Sequence, residues 1–287
     1  MNENKTKINW YPGHMAKTRR EIKEKINLID IVYEVIDARM PKSSKIVDLD
    51  NLLNNKPRIL IVTKYDLCDK TITDKFLSDY RKNYPVITVD LKKNDQIINK
   101  KILEQTKEIL NDINVKRNEK GLASRSFRAL VVGVPNVGKS TLINRLAGRN
   151  VVKTANTAGV TKSLSWIRLN KDIELLDTPG ILWPKIEDEE VGYNLASLSS
   201  IKEEILDMES VSSYIIKFLY NNYPKILADK YGITTIEEDL TNTFELIGKK
   251  RGALLKGGIV DYEKVYNLII NDLKEGKIGQ VTFDIYK

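Results

Sequence analysis

Six apolar runs punctuate the first two thirds of the chain and read as strands. They are IDIVYEVID (29–37), RILIVT (58–63), PVITVD (85–90), FRALVVGV (127–134), SLSWIRL (163–169) and IELLD (173–177). The last two form a hairpin pattern with Asn170 and Lys171 at its turn. Helical spacing fills the gaps, as in FLSDYRKNY (76–84), KKILEQTKEILNDI (100–113) and KSTLINRLAG (139–148). Near the N-terminus, Met15, Ile22, Ile26 and Leu28 fall close to a helical period, with basic residues between them. Strands alternating with helices predict a mostly parallel, six-stranded sheet covered by helices on both faces.

After residue 185 the strand signals stop. Helical periodicity continues through 191–206, 211–223, 236–252 and 261–276. The expected organisation is an α/β domain over 1–186 and an all-α domain over 187–287, joined through Trp183–Glu190. The polar stretch 115–126 reads as a surface connector.

Composition narrows the class. The 287 residues are 41% hydrophobic and 30% charged, an ordinary globular balance with no run long enough to span a membrane. The opening MNENKTKINW has no apolar signal core, so a cytoplasmic protein is expected. The single cysteine, Cys68, excludes an internal disulfide and a cysteine-based zinc cluster. A net charge of +8 suits a nucleic-acid partner, and equally suits a lysine-rich surface with no specific role.

GVPNVGKS (133–140) changes the picture. It matches G-x-x-x-x-G-K-[ST], follows a predicted strand and opens a predicted helix, the context that a phosphate-binding loop requires. Pro135, Asn136, Val137, Gly138, Lys139, Ser140 and Thr141 are the expected phosphate cradle. Within it Lys139 neutralises the β- and γ-phosphates and Ser140 binds Mg²⁺. DTPG (177–180) ends a strand about 40 residues later. Asp177 can hold Mg²⁺ through water, and the Gly180 N–H can approach the γ-phosphate because glycine has no side chain in the way. A threonine of the intervening loop can complete the Mg²⁺ shell. Thr161 is the choice, with Thr154 and Thr157 as alternatives.

TKYD (63–66) also leaves a strand end. A carboxylate at Asp66 can accept two hydrogen bonds from the N1–H and N2–H₂ edge of guanine, a pair that adenine lacks. Lys64 lays its stem over the base plane. Thr63 stands where such motifs usually begin with Asn, so a weaker link to neighbouring loops is expected. The base motif precedes the phosphate loop, the reverse of the usual order. Circular permutation preserves the site, because every one of these loops lies at the carboxyl edge of one sheet.

Base motif, phosphate loop and DTPG, in that order, resemble the circularly permuted P-loop GTPases. WYPGHMAKT (10–18), IDARMP (36–41), GVPNVGKSTLIN (133–144) and LLDTPGILWP (175–184) make the chain similar to the ribosome biogenesis GTPase A family. The resemblance covers nearly the whole length and is looser in the helical tail. It implies GTP hydrolysis, stimulated by the large (50S) ribosomal subunit during its late assembly, and a helical tail that binds rRNA. The basic segments HMAKTRREIKEK (14–25) and GKKRGALLKGG (248–258) then become candidate rRNA contacts, though a charge run is more often a solvated face.

Where many GTPases carry a water-orienting glutamine after DxxG, this chain has Ile181, which cannot hydrogen-bond through its side chain. The resemblance offers His14, the only histidine, as the catalytic group, and Asn136 as ligand of a K⁺ ion that offsets developing charge. A GTP-regulated RNA-binding switch with little turnover, acting outside ribosome assembly, is the competing reading. An ATPase is disfavoured by Asp66. Because the helical domain hangs from the DTPG loop, nucleotide state is expected to set the interdomain angle. A monomer off the ribosome is expected.

Overall fold

A computed structural model describes residues 13–47, 49–92, 96–153, 164–182, 186–201 and 207–286, and of His14 the backbone alone. All six expected strands form: β1 (Ile31–Asp37), β2 (Arg58–Thr63), β3 (Val86–Val89), β4 (Phe127–Val132), β5 (Ser165–Arg168) and β6 (Ile173–Asp177). They make one sheet in the order β3-β2-β1-β4-β6-β5. Every neighbouring pair is parallel except β5 with β6. β1 and β2 are buried at every position, as interior strands covered on both faces must be. The hairpin turn is closed by Asn170, whose Oδ1 accepts from the amides of Asp172 (2.8 Å) and Ile173 (3.0 Å).

The helices of this half are α1 (Gly13–Lys25), α2 (Leu49–Leu53), α3 (Lys70–Arg81), α4 (Gln96–Glu119) and α5 (Lys139–Ala147). α3 starts at Asp69, whose carboxylate accepts from the Thr71 and Ile72 amides. The chain winds outward from β1 to β3, then returns to place β4 on the other side of β1. That reversal opens a crevice at the carboxyl ends of β1 and β4, the place where open α/β sheets bind ligands.

Beyond β6 come α6 (Glu189–Ser197), α7 (Met208–Asn222), α8 (Pro224–Tyr231), α9 (Thr241–Arg251) and α10 (Tyr262–Lys274). Asp188, Asp207 and Asp261 cap α6, α7 and α10 through their carboxylates. One continuous apolar core runs from the sheet into these helices. Residues 280–286 are not helical. They fold back on the sheet half, with the Val281 amide on Leu67 O (3.2 Å) and the Phe283 amide on Arg39 O (2.8 Å). Phe283 is fully buried and stacks on Phe218 at 4.2 Å between centroids, 14° between planes.

The structure corrects four details of the sequence pattern. Leu28 is 47% exposed, because the chain tightens into a 3₁₀ turn over Ile26–Leu28 and rotates that residue outward. α4 extends into the expected connector as far as Glu119, then ends where Gly121 takes φ +69° and the Leu122 amide bonds Arg117 O. The helical run from 191 breaks after Ser197, with Ser199 at φ +51°. α9 begins at Thr241 rather than 236, since Asp239 accepts from the Thr241 amide and closes a turn there.

Because Phe283 carries the tail's apolar anchor, Phe283→Ala is expected to destabilise the protein by about 3 kcal/mol. Guanidinium unfolding followed by circular dichroism checks this. A loss below about 0.5 kcal/mol, the usual scale of surface substitutions, would mean that the tail packing is incidental.

Candidate functional site

Four loops meet at the crevice, leaving β1, β2, β4 and β6. The phosphate loop follows β4. Gly138 takes φ +96° just before α5, and Asn136 takes φ +64°, an uncommon conformation for a residue with a side chain. These reversals turn the loop around the N-terminus of α5, where unpaired backbone N–H groups and the helix dipole favour an anion. Pro135 and Val137 are buried, Ser140 is half-buried and Thr141 is exposed on the first turn of α5.

Lys139 is buried and its ammonium is tied back into its own loop, donating to Gly133 O and Val134 O, both at 2.9 Å. Burial pushes its pKa down to about 8, and the nearby Asp177 carboxylate opposes that shift only in part. A buried cation held by neutral carbonyls is poised to move to a stronger anionic partner.

Asp177 ends β6, paired across to Val131 of β4. Among the described residues both of its carboxylate oxygens are buried without a side-chain hydrogen-bond partner, the Thr178 amide being a polar group beside them. Burial pushes its pKa up to about 6, against the pull of Lys139. An orphaned buried carboxylate facing a lysine and the Ser140 loop is chemically matched to a hydrated divalent cation. Among the described residues no group of three or more His, Cys, Asp or Glu is gathered, so any such cation depends on phosphate oxygens and water for most of its shell. Thr178 fixes the loop by donating to Val131 O at 2.7 Å. Gly180 lies so close to the phosphate loop that a Cβ there would sit 2.7 Å from Pro135 Cα. The Ile181 amide bonds Gly133 O at 3.2 Å and its side chain is fully buried.

The base loop is joined directly to the phosphate loop. The Thr63 hydroxyl is 2.6 Å from Val137 O, to which it donates, and 3.0 Å from Ile36 O. Lys64, at φ +56°, donates from Nζ to Asn136 O at 2.8 Å and pairs with Asp37 Oδ2 at 2.9 Å. Thr63 thus makes the cross-loop link despite its shorter side chain. Asp66 is half-buried, and its carboxylate makes no hydrogen bond or ion pair with any described residue, leaving its lone pairs free for a ligand.

Asn136 is occupied on one side. Its Nδ2 donates to Ser199 O (2.6 Å) and Leu198 O (3.3 Å), and Ser200 donates to Pro135 O (2.7 Å). Carbonyls only accept, so the amide orientation is fixed and Oδ1 is the end left for a cation. Thr154, Thr157 and Thr161 lie outside the described residues, as do Trp183, Pro184 and Lys185. His14 belongs to the first turn of α1, with its side chain outside the described atoms.

The sequence reading missed three sets of residues at the site. Asp37 and Arg39 form a buried pair at the end of β1, and Leu198–Ser200 touch the phosphate loop. The third set is the tail. No local pattern marks Ser199 or Gln280, whose Nε2 donates to Asp66 O. Asp37 and Arg39 did carry a signal: a charged D-A-R directly after a buried strand.

Comparison with known proteins gives a consistent result. A family model described as "50S ribosome-binding GTPase" matches residues 128–250. The chain is similar to ribosome biogenesis GTPase A of Priestia megaterium, 45% identical over 96% of each chain. It is similar to that of Bacillus licheniformis, 46% identical over 96% of this chain and 98% of the relative. A solved GNP-bound YlqF from T. maritima superposes with a TM-score of 0.63 at 30% identity, covering 94% of this chain and 98% of that one.

Asp177 and Lys139 give the nucleotide-free site a pH signature. With its folded pKa near 6, above the usual carboxylate value of 3.8, Asp177 loses stability as pH rises from 4 through 6. Lys139, depressed from 10.5 to about 8, contributes a penalty that is full below pH 8 and relieved between 8 and 10.5. Asp177→Asn is therefore expected to be about 1–3 kcal/mol more stable than the wild type at pH 7.5, with the gap closing by pH 4. Thermal unfolding across this pH range checks it. A variant less stable than wild type at pH 7.5 would contradict the uncompensated carboxylate.

Proposed function

The chain belongs to the ribosome biogenesis GTPase A family, and on that premise we propose that it binds the immature large (50S) ribosomal subunit and couples GTP hydrolysis to late assembly and to its own release. GTP hydrolysis and a role in ribosome biogenesis come with the family. The choice of the large subunit and its stimulation of turnover are our reading. One observation carries the nucleotide assignment: the base loop and the phosphate loop are hydrogen-bonded to each other through Thr63 and Lys64, although more than 70 residues separate the partners.

In this reading Asp66 accepts from the guanine edge, Lys64 covers the base and Thr63 fixes their loop to the phosphate cradle 135–141. Lys139 leaves the carbonyls of Gly133 and Val134 for the β- and γ-phosphates. The exchange replaces two neutral acceptors with an anion. Gly180 carries its N–H against the γ-phosphate. Ser140 and Asp177, with Thr161 as a further ligand, would hold a Mg²⁺, which would neutralise phosphate charge.

Ile181 is buried in the core and leaves the attacking water unoriented. His14 supplies the missing general base or orienting group, since an imidazole exchanges protons near neutral pH. Asn136 Oδ1 would be a ligand for a K⁺ ion, which would supply positive charge to offset the negative charge that develops in the reaction. Residues 1–186 act as the GTPase domain and 187–287 as the rRNA- and ribosome-binding domain. In that second domain Lys249, Lys250 and Arg251 close α9 beside an exposed Leu255 and Ile259. Among the described residues no helix is long and apolar enough to cross a membrane. A cytoplasmic monomer off the ribosome fits this reading.

Turnover in K⁺ buffer with purified large subunits tests the proposal. We expect stimulation of at least tenfold by large subunits, little by small ones, and loss of most of it in His14→Ala. Equal rates with both subunits would remove the ribosomal specificity and leave a GTP-regulated switch. Equal rates in Na⁺ and K⁺ would remove the potassium role.

A further inference from the structure

Asp37 is the last residue of β1, and it is completely buried. Arg39 grips it with two nitrogens, Nε on Oδ1 at 3.0 Å and an Nη on Oδ2 at 2.8 Å. The Arg39 amide adds a third bond to Oδ1 at 3.0 Å. The same Asp37 Oδ2 holds Lys64 Nζ at 2.9 Å, and that ammonium also reaches Asn136 O of the phosphate loop. Burial alone raises the Asp37 carboxyl, but the two cations outweigh it and hold Asp37 well below the usual carboxylate range.

Arg39 is 1% exposed and its remaining Nη leaves the sheet half altogether. It donates to Leu273 O and, at 3.4 Å, to Lys274 O, the final carbonyls of α10. A cation there satisfies orphan carbonyls and meets the negative end of the helix dipole. The chain then continues along the base loop. The Val281 amide bonds Leu67 O and the Gln280 side chain bonds Asp66 O at 3.1 Å. Asp284 completes the clasp, accepting from the Lys42 amide (2.6 Å), the Ser43 amide (2.9 Å) and Asn194 Nδ2 (3.1 Å).

We infer that Arg39 is a positioning residue that couples guanine-nucleotide binding to the docking of the α10 end and tail, residues 273–286. One guanidinium spans Asp37, which aims Lys64, and the α10 carbonyls, which anchor the tail. The planar fork makes both sets of bonds at once, and a lysine ammonium cannot. Anything that draws the tail off the sheet half loosens Lys64 and Asp66. By linkage, a nucleotide that orders Lys64 and Asp66 tightens the tail to the same degree. The inference rests on the guanine assignment of Asp66 and Lys64. It gives the helical half a route to the base site that does not pass through the DTPG loop.

Hydrogen exchange of the full-length protein with and without GDP, together with GDP titration, tests it. In the wild type we expect GDP to slow exchange of amides in 273–286 by about tenfold, within the usual range of coupling. Arg39→Gln should abolish that response while GDP still protects the phosphate loop, and Arg39→Lys should restore only part of it. A purely structural Arg39 would lower protection equally with and without GDP, and that result overturns the inference. If Arg39→Gln does not fold, Asp284→Ala decides. It loosens the tail from the other end without touching Asp37, and GDP affinity should fall about threefold to tenfold. Unchanged affinity there, or a wild-type tail indifferent to bound GDP, also overturns it. Failure of the wild type to bind GDP at all would instead remove the guanine reading beneath it.

Discussion

A buried charge needs a partner, and at this site the partners come from other loops. Among the described residues Lys139 donates to two carbonyls of its own loop, the Asp177 carboxylate has no side-chain hydrogen-bond partner, and Lys64 shares Asp37 with Arg39. The crevice is thus assembled from groups whose charges are under-satisfied toward the phosphate side and fully satisfied toward the base side. That asymmetry suits its ligand. In the proposed reading the phosphate end accepts a polyanion and its cation, while the base end presents the carboxylate of Asp66 on a rigid frame.

The inverted order of motifs has little physical consequence for that frame. β1, β2, β4 and β6 are parallel and their carboxyl ends share an edge, so the loops converge whichever strand comes first. What permutation changes is what is attached to each loop. Here the helices come after β6, and their contacts with the sheet half include Leu198–Ser200 on the phosphate loop and residues 273–286 on the base loop. The crevice is therefore touched at both its phosphate-loop and base-loop sides by the helical part of the chain.

The strands were legible because IDIVYEVID and its counterparts must be apolar to sit inside a parallel sheet, and the motifs were legible because their chemistry demands fixed spacing. Thr63 and Asp177 end β2 and β6, and Lys139 opens α5, around one crevice. Long-range closure was not legible. Nothing local tells Ser199 to take φ +51° against Asn136, and nothing in VTFD (281–284) announces a clasp on the base loop. The substitution of Thr for Asn at 63 suggested a weaker link, yet the hydroxyl reaches Val137 O because the two loops lie close enough for a short side chain.

The most direct test of the account is the base preference of Asp66→Asn, measured by titration with GDP, xanthosine diphosphate and ADP. Replacing the carboxylate by an amide exchanges one acceptor for a donor, which opposes the guanine N2–H₂ and suits the 2-oxo group of xanthine. The account predicts a loss of GDP affinity of at least a hundredfold and a matching gain for xanthosine diphosphate, with ADP weak throughout. Undiminished GDP affinity in the variant would contradict it.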